Sequence, residues 1–360
     1  MEPLKEMFNK KFYVELSREF EKAHAKFNSG LFLNEITENL EPLSLNERMR
    51  KTSVVLKNHL PADFKKSLDI MYKVIPNLKR GYTNLLFPDF VGLYGHQHFD
   101  LSMEALKYFT GFGSSEFAVR EFLKRDFKKT IAVMTEWSKH KDAHVRRLSS
   151  EGSRPRLPWS FKLDQVIKDP GATKKILEQL KNDDELYVRK SVANHLNDIS
   201  KDNPGYMLQV VGKWDQSKTN TSWIIKHASR SLIKKGNADS LSIFNFEKDV
   251  KVRIIDFNMS ADKIKLGDTL QFSFGIGSLK TAPQKLVIDY IVHYQKKSGE
   301  TSPKVFKLTE LHLGPKQSVN INKKQVFKDF TTRKHFKGTH KLEIQINGRV
   351  FAKKEFDLLV

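Results

Sequence analysis

The chain has 360 residues, no cysteine, and 63 Lys+Arg against 42 Asp+Glu, a formal net charge of +21 at pH 7. That length favours two domains, and the lack of cysteine excludes disulfides, zinc–thiolate sites and cysteine nucleophiles. No apolar run approaches the roughly eighteen residues of a membrane span, the start Met1-Glu2-Pro3-Leu4-Lys5-Glu6 lacks the apolar stretch of a secretory signal, and a cytoplasmic protein is expected.

The predicted elements begin with helices. Leu4, Met7, Phe8, Phe12, Leu16 and Phe20 recur at helical spacing, as do Phe64, Leu68, Met71 and Ile75. Breakers at Asn28-Ser29-Gly30, Pro61, Pro76-Asn77 and Gly111-Phe112-Gly113 fall at helix-length intervals, and Ser44-Leu45-Asn46-Glu47 reads as a capping box. The pair His96 and His98, with Asp100 nearby, is a weak metal signal. No Gly-x-Gly-x-x-Gly, Walker loop or Gly-x-Ser-x-Gly elbow occurs, so nucleotide-driven and serine-hydrolase chemistry find no support.

Three later stretches are unusual for plain helix. Ser114-Ser115-Glu116-Phe117-Ala118-Val119-Arg120 follows a glycine-flanked turn. In Ser149-Ser150-Glu151-Gly152-Ser153-Arg154-Pro155-Arg156-Leu157-Pro158-Trp159, a helix ends at Gly152 and two prolines hold an extended loop. Asn194-His195-Leu196-Asn197-Asp198-Ile199-Ser200-Lys201-Asp202-Asn203-Pro204 is the third. Between and beyond them runs a repeat: Arg146, Arg189 and Lys226 each follow a β-branched apolar residue and lie 43 and 37 residues apart. That period suits two-helix HEAT-type units stacked into a solenoid. Equivalent positions would then form a basic row able to follow a phosphate backbone, and Glu151 and Asn194 would occupy matching places.

The pattern stays helical to about residue 235 and then changes. Val252–Phe257, Leu270–Phe274, Leu286–Val292, Val305–Leu308, Val319–Ile321, Lys341–Ile346 and Ala352–Phe356 read as strands, with turn signals between them, the strongest at Asn347-Gly348. Seven short strands predict an immunoglobulin-like sandwich. The expected architecture is a mainly α, HEAT-like solenoid over residues 1–245 and an all-β, immunoglobulin-like domain over 246–360. Residues 251–360 hold 21 Lys+Arg against 10 Asp+Glu, so the β domain is the more basic per residue and is expected to grip DNA.

Glu116, Glu151, Asp198 and Trp159 suit cleavage of an N-glycosidic bond. The reaction builds positive charge on the sugar, which a carboxylate in a low-dielectric groove stabilises while orienting water. A cationic alkylated base adds a second positive centre, attracted by carboxylates and by a tryptophan face. Arg120, Arg146, Arg154, Arg156, Arg189, Lys226 and Arg230 are candidate phosphate contacts.

The same three segments resemble the signatures of the AlkC-type alkylpurine DNA glycosylases, relatives of AlkD. The most specific element is the run from Ser149 to Trp159, and the resemblance extends from Leu4-Lys5-Glu6-Met7-Phe8-Asn9 into the β region. It implies a helical solenoid and an immunoglobulin-like domain that embrace DNA around the lesion. It also implies a monofunctional enzyme, without metal or organic cofactor, that excises cationic lesions, above all 3-methyladenine and also 3-methylcytosine, without fully flipping the base; nothing in the sequence demands more than a monomer. By motif, Glu116, Glu151 and Asp198 are the catalytic carboxylates and Trp159 contacts the lesion. Two positions depart from the family pattern: Glu121 stands where proline is common, and His195 where asparagine is common. Two rival readings are a non-catalytic HEAT-repeat DNA-binding protein and a protein-binding scaffold.

Overall fold

The computed structural model describes residues 3–330 and 333–360. They form two compact units: residues up to Met207 with Lys213–Ala228, and Leu208–Gly212 with Ser229–Val360. In the first unit, helix after helix starts on a side-chain cap. Asn9, Asn28, Asp63, Asp126 and Asp142 each accept from a backbone N–H two or three residues on. Ser44 N donates to Glu47 Oε2 at 2.8 Å within the capping box. The periodic residues face inward, with Leu16, Phe20, Phe64, Leu68 and Met71 all buried. Leu4 and Met7 do not: they are 56% and 45% exposed on a 3-10 turn, Leu4–Met7. The helix itself begins at Lys10, because the Asn9 side chain caps it there.

Successive helices pack on their neighbours. The helix Phe127–Trp137 meets Ala143–Gly152, which lies against Leu186–Asp202, which meets Thr219–Ala228. Such neighbour-to-neighbour packing defines a solenoid. Arg146, Arg189 and Lys226 sit on the last three of these helices, and two of them repeat atom for atom. Arg146 Nη1 donates to His140 O at 3.0 Å and Lys141 O at 2.9 Å. Arg189 Nη1 donates to Asp183 O at 2.9 Å and Asp184 O at 2.7 Å. Each guanidinium thus ties down the turn before its own helix.

The second unit carries two sheets. One holds β1 (Val252–Met259), β3 (Thr269–Ser278) and β6 (Ser318–Val326) in the order β1-β3-β6. The other holds β2 (Lys263–Lys265), β4 (Gln284–Gln295), β5 (Thr301–Leu313), β7 (Gly338–Ile346) and β8 (Arg349–Leu359) in the order β2-β8-β7-β4-β5. Seven of these strands cover the seven expected runs. The eighth, β2, pairs parallel to β8 over three residues, too few to leave an alternating pattern. Leu270, Phe272, Phe274 and Ile276 of one sheet share a core with Leu286, Ile288, Leu342 and Ile344 of the other.

This unit also includes the short helices Arg230–Lys234 and Ala238–Ile243, upstream of residue 246. They are held by Ile233, Leu241 and Phe246 packed with Val287. The turn after the first of them has Gly236 at φ +69°, directly against Gly348 of the β7–β8 hairpin, where a Cβ would come within 2.0 Å of Gly236 Cα. Only glycine permits that approach. Asn347 and Gly348 both have positive φ, 45° and 81°, as a two-residue hairpin turn requires.

Asp289 on β4 is buried beside Gln345, whose Nε2 donates to it at 3.4 Å and to Lys234 O at 2.9 Å. Burial pushes its pKa up to about 6, against the pull of Lys234 and Gln345. A raised carboxylate pKa means stability that is full below the unfolded value near 4 and lost as pH rises through 6. Asp289→Asn therefore stabilises this unit by about 2 kcal/mol at pH 7.5. The gain vanishes near pH 4; urea melts at both pH values read the difference, and equal gains at both would refute it.

Candidate active site

The three carboxylates singled out by sequence come from three separate elements. Glu116 lies on the turn before the helix Ala118–Arg125, Glu151 on the last turn of Ala143–Gly152, and Asp198 inside Leu186–Asp202. Two arginines join them into one chain of alternating charge. Arg147 pairs with Glu116 and, at 3.5 Å, with Glu151 Oε1. Arg154 reaches Glu151 Oε1 at 2.6 Å and Asp198 Oδ2 at 2.7 Å through Nη2, with a further bond from Nε at 2.8 Å. Lys201 closes the row at 2.7 Å from Asp198 Oδ1.

Asp198, Glu151 and Arg154 are only 2%, 6% and 7% exposed, so these charges act in low dielectric. Burial disfavours the cation of Arg147, but Glu151 and Glu116 outweigh it and hold its pKa above the usual arginine value.

Local sequence explains each placement. Ser115 Oγ donates to Leu106 O at 2.7 Å and anchors the turn that carries Glu116. Ser114 Oγ donates to Glu116 Oε2 at 3.1 Å while accepting from Arg147 Nη1 at 3.0 Å. At Gly152 a Cβ would come 2.5 Å from Val119 Cγ1, so glycine lets the Glu151 helix end against the helix that follows Glu116. Trp159 stands 68% exposed on the proline-bounded loop at φ +63°, an uncommon conformation for a bulky residue. Its ring is edge-on to Tyr82, centroids 6.4 Å apart. A groove of about 420 Å³ runs past Tyr82, Glu116, Arg147 and Tyr187.

The chain is similar to known proteins. A family model described as "DNA alkylation repair enzyme" matches residues 107–232, the stretch holding all three carboxylates. A second, described as "Uncharacterised protein YhaZ, C-terminal Ig-like domain", matches residues 253–360. The structure of Pseudomonas fluorescens alkylpurine DNA glycosylase AlkC, bound to DNA containing an abasic site analog, superposes with a TM-score of 0.96 at 43% identity, covering 100% of both chains. The chain belongs to the AlkC family. Its β unit is accordingly an Ig-like domain, and the YhaZ protein of Bacillus subtilis (strain 168) is 42% identical over 359 residues, 99% of this chain and 100% of that one.

The basic residues of this AlkC-family chain differ from expectation in what they touch. Arg120 is fully buried and donates to Gly152 O at 3.0 Å, Arg154 O at 2.7 Å and Phe161 O. It therefore stitches the Trp159 loop to the helix below and reaches no phosphate; burial first, and Arg154 second, push its pKa down to about 10. Arg154 is likewise a counterion for the carboxylates rather than a backbone contact. Arg146 adds Asp183 at 2.7 Å to the carbonyls it already holds, and Arg189 holds its own turn, so neither presents a free guanidinium row.

Arg156 is paired with Asp202 at 2.5 Å but sits at the surface, 30% exposed. Lys226 is exposed on its helix, and Arg230 opens a helix of the Ig-like unit. His96 packs 5.0 Å from Phe122 and His98 stacks 5.2 Å from Phe64. Among the described residues no three His, Asp or Glu side chains group as a metal site.

Arg147 and Lys201 join the candidate site although motif reading gave them no role, and His195 entered it only as a departure from the family pattern. Arg147 follows Arg146 directly, and Lys201 lies one helical turn beyond Asp198, a spacing that could have marked it. His195 is fully buried; its Nδ1–H donates to Ser150 O at 3.0 Å and its Nε2 lies 3.2 Å from Thr173 Oγ1. Burial and then Arg154 push its pKa down to about 3, so it is neutral and bonds the Asp198 helix to the residue before Glu151.

Proposed function

We propose that the protein is a monofunctional DNA glycosylase that hydrolyses the N-glycosidic bond of cationic alkylated bases, 3-methyladenine and 3-methylcytosine, in duplex DNA. The observation that carries this reading is the row of Glu116, buried Glu151 and buried Asp198 held by Arg147 and Arg154, with the exposed ring of Trp159 against Tyr82 of the groove that Glu116 lines. The AlkC homology supports the same reading.

As the bond breaks, its electron pair leaves with the base, which departs neutral, and the sugar becomes cationic. The carboxylates stabilise that cation and orient water; the water oxygen bonds to the sugar carbon and its proton passes to a carboxylate, leaving an abasic site. Of the three, Asp198 and Glu116 are the leading water-positioning groups. Trp159 offers its face to the cationic base. An open groove suits acting on the lesion in bent duplex without turning it fully into a pocket, the first step of base excision repair. Arg156, Lys226, Arg230 and the lysines of the Ig-like unit supply backbone contacts, and the enzyme works as a monomer without cofactor.

Purified protein should release 3-methyladenine from methylated duplex DNA in EDTA, with binding that weakens steeply as salt rises. Tight binding to the same DNA without release would replace this reading with that of a non-catalytic HEAT-repeat DNA-binding protein. Binding insensitive to salt would point to a protein scaffold.

A further inference from the structure

Both oxygens of Asp198 are taken. Arg154 donates to Oδ2 through Nε at 2.8 Å and Nη2 at 2.7 Å, and Lys201 Nζ donates to Oδ1 at 2.7 Å. With Asp198 only 2% exposed, these donors also cover it. Water and a cationic sugar can approach the acid only where one of them withdraws.

The two donors are unequal. The Arg154 side chain is 8% exposed and is held by Glu151 Oε1 at 2.6 Å as well, so it is fixed from both sides. The Lys201 side chain is 45% exposed, and Asp198 is its only hydrogen-bond partner among the described residues. Such a pair, one helical turn apart and open to water, is weak. Its ammonium sits on a flexible four-carbon stem and is free to swing.

Lys201 also faces the groove side of its helix. On Leu186–Asp202, Asp198 and Lys201 come about three and about four turns after Tyr187, so the three share one helix face. Tyr187 lines the carboxylate groove. At the same helix end stand Arg156, paired with Asp202 at 2.5 Å, and the exposed Lys162. Arg156 first, by its hydrogen bond, and then Lys162 and Lys201 hold the Asp202 pKa below the usual carboxylate value. Three cations at one helix end draw a phosphate.

We propose that Lys201 is a latch on Asp198: a backbone phosphate of bound duplex draws the ammonium away, and only then does the acid meet water and the sugar. Lys201 is thereby a positioning residue that ties exposure of the acid to the presence of DNA. The proposal rests on the glycosylase reading.

Single-turnover excision at saturating protein tests it, on duplexes with one 3-methyladenine and one methylphosphonate, which removes a single backbone charge, stepped along the phosphates that flank the lesion. One position should slow the wild-type chain at least tenfold, because the latch stays closed. Lys201→Met, or Lys201→Gln should methionine disturb the fold, should run on that duplex within twofold of its own rate on unmodified duplex. Lys201→Arg, which keeps a charge to be drawn away, should regain the sensitivity. An equal slowing in Lys201→Met, or no sensitive position in a wild-type chain that excises unmodified duplex, would overturn the latch and leave the glycosylase reading standing. Loss of excision on unmodified duplex by folded Lys201→Met would also overturn it, since the lysine would then belong to the chemistry. A wild-type chain that excises from no duplex would sink the glycosylase reading, and the latch with it.

Discussion

Asp198→Asn lowers single-turnover release of 3-methyladenine by about a hundredfold to a thousandfold, the range seen when one preorganised electrostatic group is removed, while duplex affinity stays within a few-fold. Asp198 is 2% exposed and carries its charge between Arg154 and Lys201. The amide keeps the shape and removes the negative charge that opposes the cationic sugar. Binding is expected to survive because the proposed phosphate contacts lie on other residues. Arg154 still has Glu151, so the variant stays folded at the assay temperature. Full activity in Asp198→Asn would remove this residue from the proposed chemistry.

Arg154→Met produces the largest loss of stability, about 3–5 kcal/mol, the usual cost of leaving a buried charge without its partner. Arg154 is the only guanidinium that bridges Glu151 and Asp198 among the described residues, and methionine leaves both carboxylates buried with less compensation. Lys201 and Arg147 each reach one of them, so the row is weakened rather than dissolved. Urea melts at pH 8 measure it; a loss below about 1 kcal/mol, typical of a solvent-exposed ion pair, would mean that the row is not held as described.

Much of this was legible in the residues. Helical periodicity, side-chain caps and the switch to alternating strands near residue 250 are local properties, and local physics sets them. The loop from Ser149 to Trp159 was equally readable, because two prolines and a glycine limit what the backbone can do there. The carboxylates stood out through motif. Leu4 and Met7 misled because their spacing is helical while the Asn9 cap starts the helix only after them. β2 was invisible because three residues carry too little pattern.

The arginines mark where sequence stops. As a string of residues, Arg120, Arg146, Arg154 and Arg189 are four cations in a basic protein, equally suited to phosphate, carboxylate or carbonyl. Their partners lie as far as 44 residues away, as with Arg154 and Asp198. A guanidinium bonds whatever acceptors the packed helices bring within about 3 Å, and separation along the chain says nothing of that distance. The sequence by itself pointed to a helical part followed by a strand-rich part and to three candidate acids, since these follow from local periodicity, residue type and motif. Only the tertiary structure decided which charges face each other: it makes Arg146 and Arg189 braces of the turns before their helices, and it holds Glu116 and the buried Glu151 and Asp198 in one row with Arg147 and Arg154.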